Sequence, residues 1–252
     1  IQGWLLRPKA SAAPFPLVMT VHGGPTSLAR PRCLMRTLQG LLLLQQGYAL
    51  FWPNPRGSTG RGQEFTQLVR GDLGGDDTRD HLSGLDYLVE QGIADPARIG
   101  VTGGSYGGFM TAWLITQDQR FVAPVPCFPS TNWTTQHLLS NIQHFDRLFL
   151  NDDYKQALST EKNTGNKYLS RSPIYVADKV ITPTLHIAGA KDRCTPPTEA
   201  AQFHQALLEN GVESALVIYP EEGHGVNKLP AIFDFAARVV GWFTQHMPAN
   251  RY

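Results

Sequence analysis

The chain has 252 residues, of which 42% are hydrophobic, so it is long enough for one α/β domain with a substantial core. Its 22 basic and 21 acidic residues leave a formal net charge of +1, which offers no broad field for nucleic acid or an anionic membrane. We therefore expect neither of these partners and no second domain within residues 1–252.

Apolar segments alternate with helical patterns along most of the chain. Strands are predicted at residues 2–6, 17–21, 48–52, 98–102, 183–189 and 214–220. A helix is predicted over 76–91, with Leu85, Tyr87 and Leu88 towards the core, and a turn at 95–97 follows it. This alternation predicts a mostly parallel sheet with helices on both faces. The reactive loops are then expected at the edge of the sheet where the strands have their carboxyl ends.

A serine stands between the strand at 98–102 and the helical pattern that follows it. Residues 103–108 are Gly-Gly-Ser-Tyr-Gly-Gly, so glycines flank Ser105 where β-carbons would collide in a sharp turn. Such a turn exposes the serine hydroxyl beside the first amides and the positive dipole end of the helix. The motif alone is only suggestive, but its place between strand and helix makes Ser105 the candidate nucleophile.

A serine hydroxyl barely ionises near neutral pH, so it needs a base within hydrogen-bond reach and an acid that orients the base. Asp192 lies in the loop after the strand at 183–189, and His224 lies in a glycine-flanked loop after the strand at 214–220. Asp178 is the rival carboxylate, but it precedes its strand and would emerge at the opposite edge of the sheet. We therefore predict Asp192 as the acid and His224 as the base.

A fourth component, the oxyanion hole, needs backbone amides that face the developing negative charge. The strand at 17–21 runs into His-Gly-Gly-Pro, and Gly24 in this loop can bring its amide close to a substrate carbonyl without a side chain in the way. The residue after the nucleophile usually supplies the second amide. Gly24 and Tyr106 are therefore the predicted donors.

With these parts in order, the chain resembles the prolyl oligopeptidase family of serine peptidases, on its acylaminoacyl-peptidase and dipeptidyl-peptidase side. The resemblance covers essentially the whole chain and rests on His22-Gly23-Gly24-Pro25, Asn54-Pro55-Arg56-Gly57-Ser58, the motif at 71–77, the motif at 103–108, Asp192 and Gly223-His224-Gly225. It implies an α/β-hydrolase catalytic domain over 1–252 that hydrolyses short peptides by acyl transfer, without a metal or organic cofactor.

The resemblance carries further expectations about the site and the parent protein. Some relatives have a tyrosine hydroxyl donor where this chain has His22, so the predicted oxyanion hole relies on the Gly24 amide. Relatives usually carry a β-propeller ahead of the hydrolase domain, and because the sequence opens on Ile1, we expect a fragment of a longer polypeptide that can form oligomers. Between residues 124 and 173 the periodicity loosens, and by resemblance Trp133 could contact the substrate, although packing explains it equally well.

The three cysteines, Cys33, Cys127 and Cys194, form no close-spaced pair, so neither a disulfide framework nor a metal site is expected and a cytoplasmic location is favoured.

Two alternative functions remain open. A carboxylesterase acting on small acyl esters would use the same catalytic parts. A silent interaction module could keep the fold, but it would have no reason to retain all three triad members.

Overall fold

A computed structural model describes residues 1–9, 12–30, 37–159 and 165–249 of the chain. The strands are β1 (Gln2–Leu6), β2 (Phe15–Val21), β3 (Ala49–Asn54), β4 (Ala94–Gly104), β5 (Phe121–Cys127), β6 (Thr184–Gly189) and β7 (Ser214–Tyr219). They form one seven-stranded sheet in the order β1-β3-β2-β4-β5-β6-β7. β1 is antiparallel to β3, and the other neighbouring strands are parallel.

Helices connect the strands. They are α1 (Leu38–Gln45), α2 (Gln63–Gln67), α3 (Asp76–Glu90), α4 (Tyr106–Gln117), α5 (Trp133–Leu139), α6 (His144–Leu150), α7 (Tyr154–Ala157), α8 (Lys167–Ser170), a 3-10 helix (Pro173–Lys179), α9 (Pro197–Glu209) and α10 (Ala231–His246). The sequence-predicted strands and the helix at 76–91 thus appear with their bounds moved by a few residues. Differences of this size are ordinary, because the ends of helices fray and their boundaries differ by one or two residues between definitions.

The sheet carries a hydrophobic core on each face. Along β2, Leu17 and Met19 pack into one core with Phe109 of α4, whereas Val18 packs into the other with Phe243 of α10. Successive side chains of a strand point to opposite faces, so a strand covered on both faces is apolar at nearly every position, and in β2 only Thr20 is polar and partly buried. The expected layering, a mostly parallel sheet between two helical layers, is confirmed.

Strand β5 is not among the predicted strands, and it contains Pro124 and Pro126 although proline cannot donate to a ladder. The Phe128 amide just after the strand donates to Ile187 of β6, so the even-numbered positions of β5 face β6. β5 pairs with β6 only at Cys127 and Ile187. Both prolines therefore direct their missing donors to the side where the ladder is nearly absent.

Two local predictions need correction. Tyr87 of α3 is 59% exposed instead of facing the core, whereas Leu85 and Leu88 are buried as expected. The turn predicted at 95–97 is the beginning of β4, although the Asp95 side chain does accept a hydrogen bond from the Ala97 amide in the manner of a turn.

Several features bear on partners and cofactors. Within the described ranges, no helix is both long and apolar enough to cross a bilayer. The same residues contain no cluster of three or more His, Cys, Asp or Glu side chains arranged to hold a metal ion. Cys127 is buried and Cys194 is partly exposed, both as free thiols, and Cys33 lies outside the described residues.

Candidate active site

Ser105 occupies the turn between β4 and α4 in a strained backbone conformation. Its φ of 62° and ψ of −121° are unusual for a residue with a β-carbon, and such strain is concentrated at functional sites. The start of α4 packs closely against the end of β2. A β-carbon added to Gly107 would collide with the carbonyl oxygen of Val21, so the turn is possible because this residue is glycine. Ser105 therefore stands at the carboxyl end of β4, directly before the first amide of α4.

Asp192 and His224 meet at the carboxyl ends of β6 and β7. Nδ1 of His224 lies 2.8 Å from Oδ2 of Asp192, whose side chain has no exposed surface. The other carboxylate oxygen, Oδ1, accepts the amides of Cys194 at 2.8 Å and Thr195 at 3.0 Å. The carboxylate is thus held on both sides, and a neutral His224 has its proton on Nδ1 and a lone pair on Nε2.

Electrostatics couple these two residues. The hydrogen bond that His224 donates to Asp192, with a smaller contribution from Cys194, raises the pKa of His224 above its ordinary value, although burial opposes the charged ring. For Asp192, burial favours the neutral acid, but the hydrogen bonds from His224 and the Thr195 amide outweigh it and lower the pKa. Asp192 therefore stays ionised at neutral pH and stabilises the imidazolium form of His224.

Ser105 and His224 each contact one of two consecutive residues at the end of β5. The Ser105 amide donates to the Cys127 carbonyl oxygen at 3.1 Å, and the ring of the next residue, Phe128, lies edge-on to His224 with centroids 6.0 Å apart. Within the described part of the chain, the Ser105 hydroxyl makes no hydrogen bond to His224. The Asp-His half of the predicted triad is thus assembled, and the Ser-His contact stays a prediction, as such contacts often tighten only with substrate bound.

The glycine loop after β2 lies against this turn. A β-carbon on Gly23 would be 3.6 Å from the Ser105 β-carbon, and Gly24 has a φ of 126° that favours glycine. His22 holds the loop with both ring nitrogens: Nδ1 donates to the Gly23 carbonyl oxygen at 2.7 Å, and Nε2 lies 3.0 Å from the Ser58 hydroxyl. Burial lowers the pKa of His22, so the ring is neutral and Ser58 donates to Nε2.

This contact determines where the Gly24 amide points. The carbonyl of Gly23 and the N–H of Gly24 belong to one planar peptide group and point in opposite directions. By binding the Gly23 oxygen, His22 directs the Gly24 N–H away from itself. His22 thus holds the peptide group of the predicted oxyanion donor, a role that the sequence did not indicate.

We expect His22→Ala to lower kcat/KM by about 100- to 1000-fold, the usual cost of losing one oxyanion donor. The Gly23 carbonyl would lose its partner, and the Gly24 amide would no longer be held in one direction. The measurement is steady-state kinetics of the variant beside His144→Ala, which removes an exposed histidine from the start of α6. Equal activity of the two variants would rule out this role for His22.

The other predicted oxyanion residue, Tyr106, is anchored by a buried carboxylate. Its hydroxyl donates to Oδ2 of Asp77 at 2.7 Å, and Asp77 also accepts the amides of Gly74 at 3.2 Å and Thr78 at 2.9 Å. Burial raises the pKa of Asp77 to about 6, although these hydrogen bonds favour its ionised form. The anchor fixes the first residue of α4 and, with it, the amide beside Ser105.

Replacing Tyr106 by phenylalanine should lower the free energy of unfolding by about 1–3 kcal/mol, because Asp77 would lose a partner inside the core. The backbone amide remains, so part of the activity should survive. Tyr219→Phe is the matched control, since Tyr219 donates to Asp234, whose side chain is 47% exposed. Urea unfolding of both variants checks the difference, and equal losses would contradict the anchoring role.

Trp133 begins α5 and is 1% exposed. Its ring packs against Phe109 and Phe145, with centroids 4.8 Å and 6.2 Å away, and its indole N–H donates to the Arg171 carbonyl oxygen at 2.9 Å. These contacts account for the residue by packing alone. The substrate contact predicted for Trp133 therefore stays a prediction.

Arg56, in one of the motifs that carry the family resemblance, organises a loop. Its guanidinium binds Asp76 at 2.6 Å and Asp80 at 2.9 Å, and its amide also donates to Asp80. Asp76 and Asp80 lie in the first part of α3, and Arg56 lies in the loop after β3. These contacts account for Arg56 as a residue that holds this loop on α3.

Comparison with protein families gives a match over residues 36–249 to a model described as the prolyl oligopeptidase family. The chain is 36% identical to the Bacillus subtilis protein called uncharacterized peptidase YuxL, over 98% of this chain and 37% of that protein. It is 34% identical to acylamino-acid-releasing enzyme 1 of rice, Oryza sativa subsp. japonica, over 92% of this chain and 30% of that enzyme.

Solved structures show the same similarity. The acylaminoacyl peptidase of Pyrococcus horikoshii superposes with a TM-score of 0.84 at 28% identity, over 99% of this chain and 40% of that one. The described residues therefore have the α/β-hydrolase fold of this enzyme class. The chain spans well under half the length of the proteins it matches.

Proposed function

Since this chain belongs to the prolyl oligopeptidase family, we propose that it is the catalytic unit of a serine peptidase that hydrolyses short peptides. Ser105 is the nucleophile, His224 the base, and Asp192 the carboxylate that orients the base. The hydrogen bond between Asp192 and His224, at the same sheet edge as the strained Ser105, is the observation that carries the proposal. Relatives named as acylamino-acid-releasing enzymes and dipeptidyl aminopeptidases support peptides with a blocked or free amino terminus as substrates.

The proposed reaction is acyl transfer in two steps. Oγ of Ser105 attacks the substrate carbonyl carbon while Nε2 of His224 takes the hydroxyl proton, and Asp192 stabilises the imidazolium. The amides of Gly24 and Tyr106 donate to the oxyanion. The imidazolium then gives its proton to the leaving amine, and the carbon–nitrogen bond breaks. A water molecule, deprotonated by the same imidazole, then attacks the acyl-enzyme. The ester bond to Oγ of Ser105 breaks, the imidazolium returns its proton to Oγ, and the acid is released.

Matched chromogenic substrates test this function. The protein should cleave an N-acetylaminoacyl anilide or a dipeptidyl anilide as well as the corresponding acyl ester, and a fluorophosphonate should block all of these activities. Cleavage of the ester alone would favour a carboxylesterase. No hydrolysis together with no fluorophosphonate labelling of the folded protein would favour a silent interaction module and refute the proposal.

A further domain of the same polypeptide is the other proposed partner. Its support is that the matched relatives are covered over only 30–40% of their length, which leaves room for a β-propeller beside the catalytic unit. The mass of the native polypeptide tests this point. A mass close to 27.8 kDa, that of the present chain, would contradict it.

A further inference from the structure

Thr195 touches both polar members of the assembled half-triad. Its Oγ1 lies 3.0 Å from Oδ2 of Asp192 and 3.2 Å from Nδ1 of His224, and these last two atoms are 2.8 Å apart. The three atoms therefore form a triangle with nearly equal sides. Thr195 is 4% exposed, so water does not compete for its hydroxyl.

The hydrogen-bond roles follow from the chemistry of the three groups. An ionised carboxylate only accepts, so the Thr195 hydroxyl donates its hydrogen to Oδ2. Nδ1 of His224 also donates to Oδ2, and the Thr195 oxygen then offers a lone pair to the same N–H. The N–H at Nδ1 of His224 thus has two acceptors, Asp192 Oδ2 and Thr195 Oγ1. Together they limit rotation of the imidazole ring.

The backbone of Thr195 is itself immobilised. Its amide donates to Oδ1 of Asp192, and the carbonyl of the preceding residue, Cys194, accepts from Gln136 Nε2 at 2.7 Å and from Ser140 Oγ at 2.6 Å. Gln136 lies on α5, and Ser140 directly follows that helix. The helix therefore supports, from outside, the loop between β6 and α9 that contains Asp192 (the acid loop). The threonine hydroxyl is therefore presented from a rigid support.

Resting on the proposed function, we propose that Thr195 is a positioning residue, whose hydroxyl holds the Asp192 carboxylate and the His224 ring in the orientation that turns Nε2 towards Ser105. It touches neither the substrate nor the reacting atoms. The sequence indicates only part of this arrangement, because an Asp side chain commonly binds the backbone amide two residues on, as Asp192 binds the Cys194 amide, whereas the contact of Thr195 with His224 joins distant parts of the chain.

The charged surroundings of His224 are few. Asp192 and Cys194 face the ring from the acid loop, and Phe128 covers it from the end of β5. In its own loop, Glu222 is bound to the amides of Asn227 and Lys228, and Glu221 is paired with Lys191. The hydroxyl of Thr195 is thus a principal polar neighbour of the Asp192–His224 pair, and its removal should be visible in the titration of His224.

The direction of that effect can be derived. The Thr195 hydroxyl donates to Oδ2 at 3.0 Å, whereas its oxygen is only a second acceptor, at 3.2 Å, for an N–H that already donates to Oδ2. The main electrostatic effect of the hydroxyl is therefore to withdraw negative charge from the carboxylate that attracts the imidazolium. Removing the hydroxyl should therefore raise the pKa of His224 and move the acid side of the pH profile upwards by about 0.5–1 unit.

The experiment compares Thr195→Val, which has nearly the same shape without the hydroxyl, with Thr195→Ser, which keeps it. The readout is the second-order rate of fluorophosphonate labelling at Ser105 between pH 5 and pH 10, because labelling needs only the serine and its base. For a cleaved substrate, kcat and KM are measured as well. We expect Thr195→Val to lower the labelling rate at neutral pH and kcat by about 3- to 30-fold with unchanged KM, and Thr195→Ser to restore both.

Each outcome decides a different point. A wild-type protein that is not labelled refutes the proposed function itself. A labelled wild type with a valine variant of the same rate and the same pH midpoint overturns the role of Thr195. A lower rate without a shift in midpoint, or one that serine does not restore, reveals a merely structural residue and also overturns it. If the valine variant does not fold, Thr195→Ala, which adds no bulk, provides the same comparison.

Discussion

Replacing Ser105 by alanine is expected to lower kcat by about 10⁴- to 10⁶-fold, because no other group forms the covalent intermediate. Fluorophosphonate labelling should disappear in the same variant. The fold should persist, since the Ser105 hydroxyl makes no hydrogen bond in the described part of the chain and the loss is one oxygen atom. Kinetics, intact-mass labelling and thermal unfolding of the variant measure these three effects.

Ser83→Ala is the matched control for this prediction. Ser83 lies on α3, where its hydroxyl only donates to the Asp80 carbonyl oxygen of the same helix. The control should keep full activity and full labelling. Labelling that persists in Ser105→Ala, or activity within about tenfold of the wild type, would show that the nucleophile lies elsewhere.

The second large effect is expected from Asp192→Asn, with a loss in kcat of about 10⁴-fold. Oδ1 accepts two backbone amides, so the asparagine would keep its oxygen there and turn its NH₂ group towards His224. The ring would then carry its proton on Nε2, where it cannot accept the proton of Ser105. Steady-state kinetics at saturating substrate measures the loss.

The pH profile gives a second, independent measure of Asp192. Because Asp192 raises the pKa of His224, wild-type activity should fall as pH decreases, with a midpoint above the value of about 6.5 for a free imidazole. In Asp192→Asn the raised pKa is lost, so the midpoint of the residual activity should move to lower pH. A wild-type rate that stays constant between about pH 8 and pH 5 would contradict His224 as the base.

Asp178→Asn is the control for the carboxylate. Asp178 is the acid that the sequence offered as a rival, and the structure places it on the exposed side of the 3-10 helix that precedes β6. It lies at the other end of that strand from Asp192. A loss in Asp178→Asn comparable to that in Asp192→Asn would mean that the acid was wrongly assigned.

The local patterns were enough to locate the parts of the site. Glycines around Ser105, and strands that end just before Asp192 and His224, are features of short stretches of chain. Each stretch has its own steric requirement or period, which does not depend on the rest of the molecule. For this reason six of the seven strands, the turn at Ser105 and the loops that carry Asp192 and His224 could be predicted without coordinates.

Tertiary structure alone decided how these parts are held. The bond between Ser58 and His22, the anchoring of Tyr106 by Asp77 and the contact of Thr195 with His224 each join residues at least 29 positions apart in the sequence, so they depend on how loops and helices pack. The prolines of β5 show the same dependence on tertiary structure, since a missing donor matters only if a partner strand faces it. A one-dimensional pattern contains periodicity and steric limits but no distances between elements, and hydrogen bonds form only at defined distances.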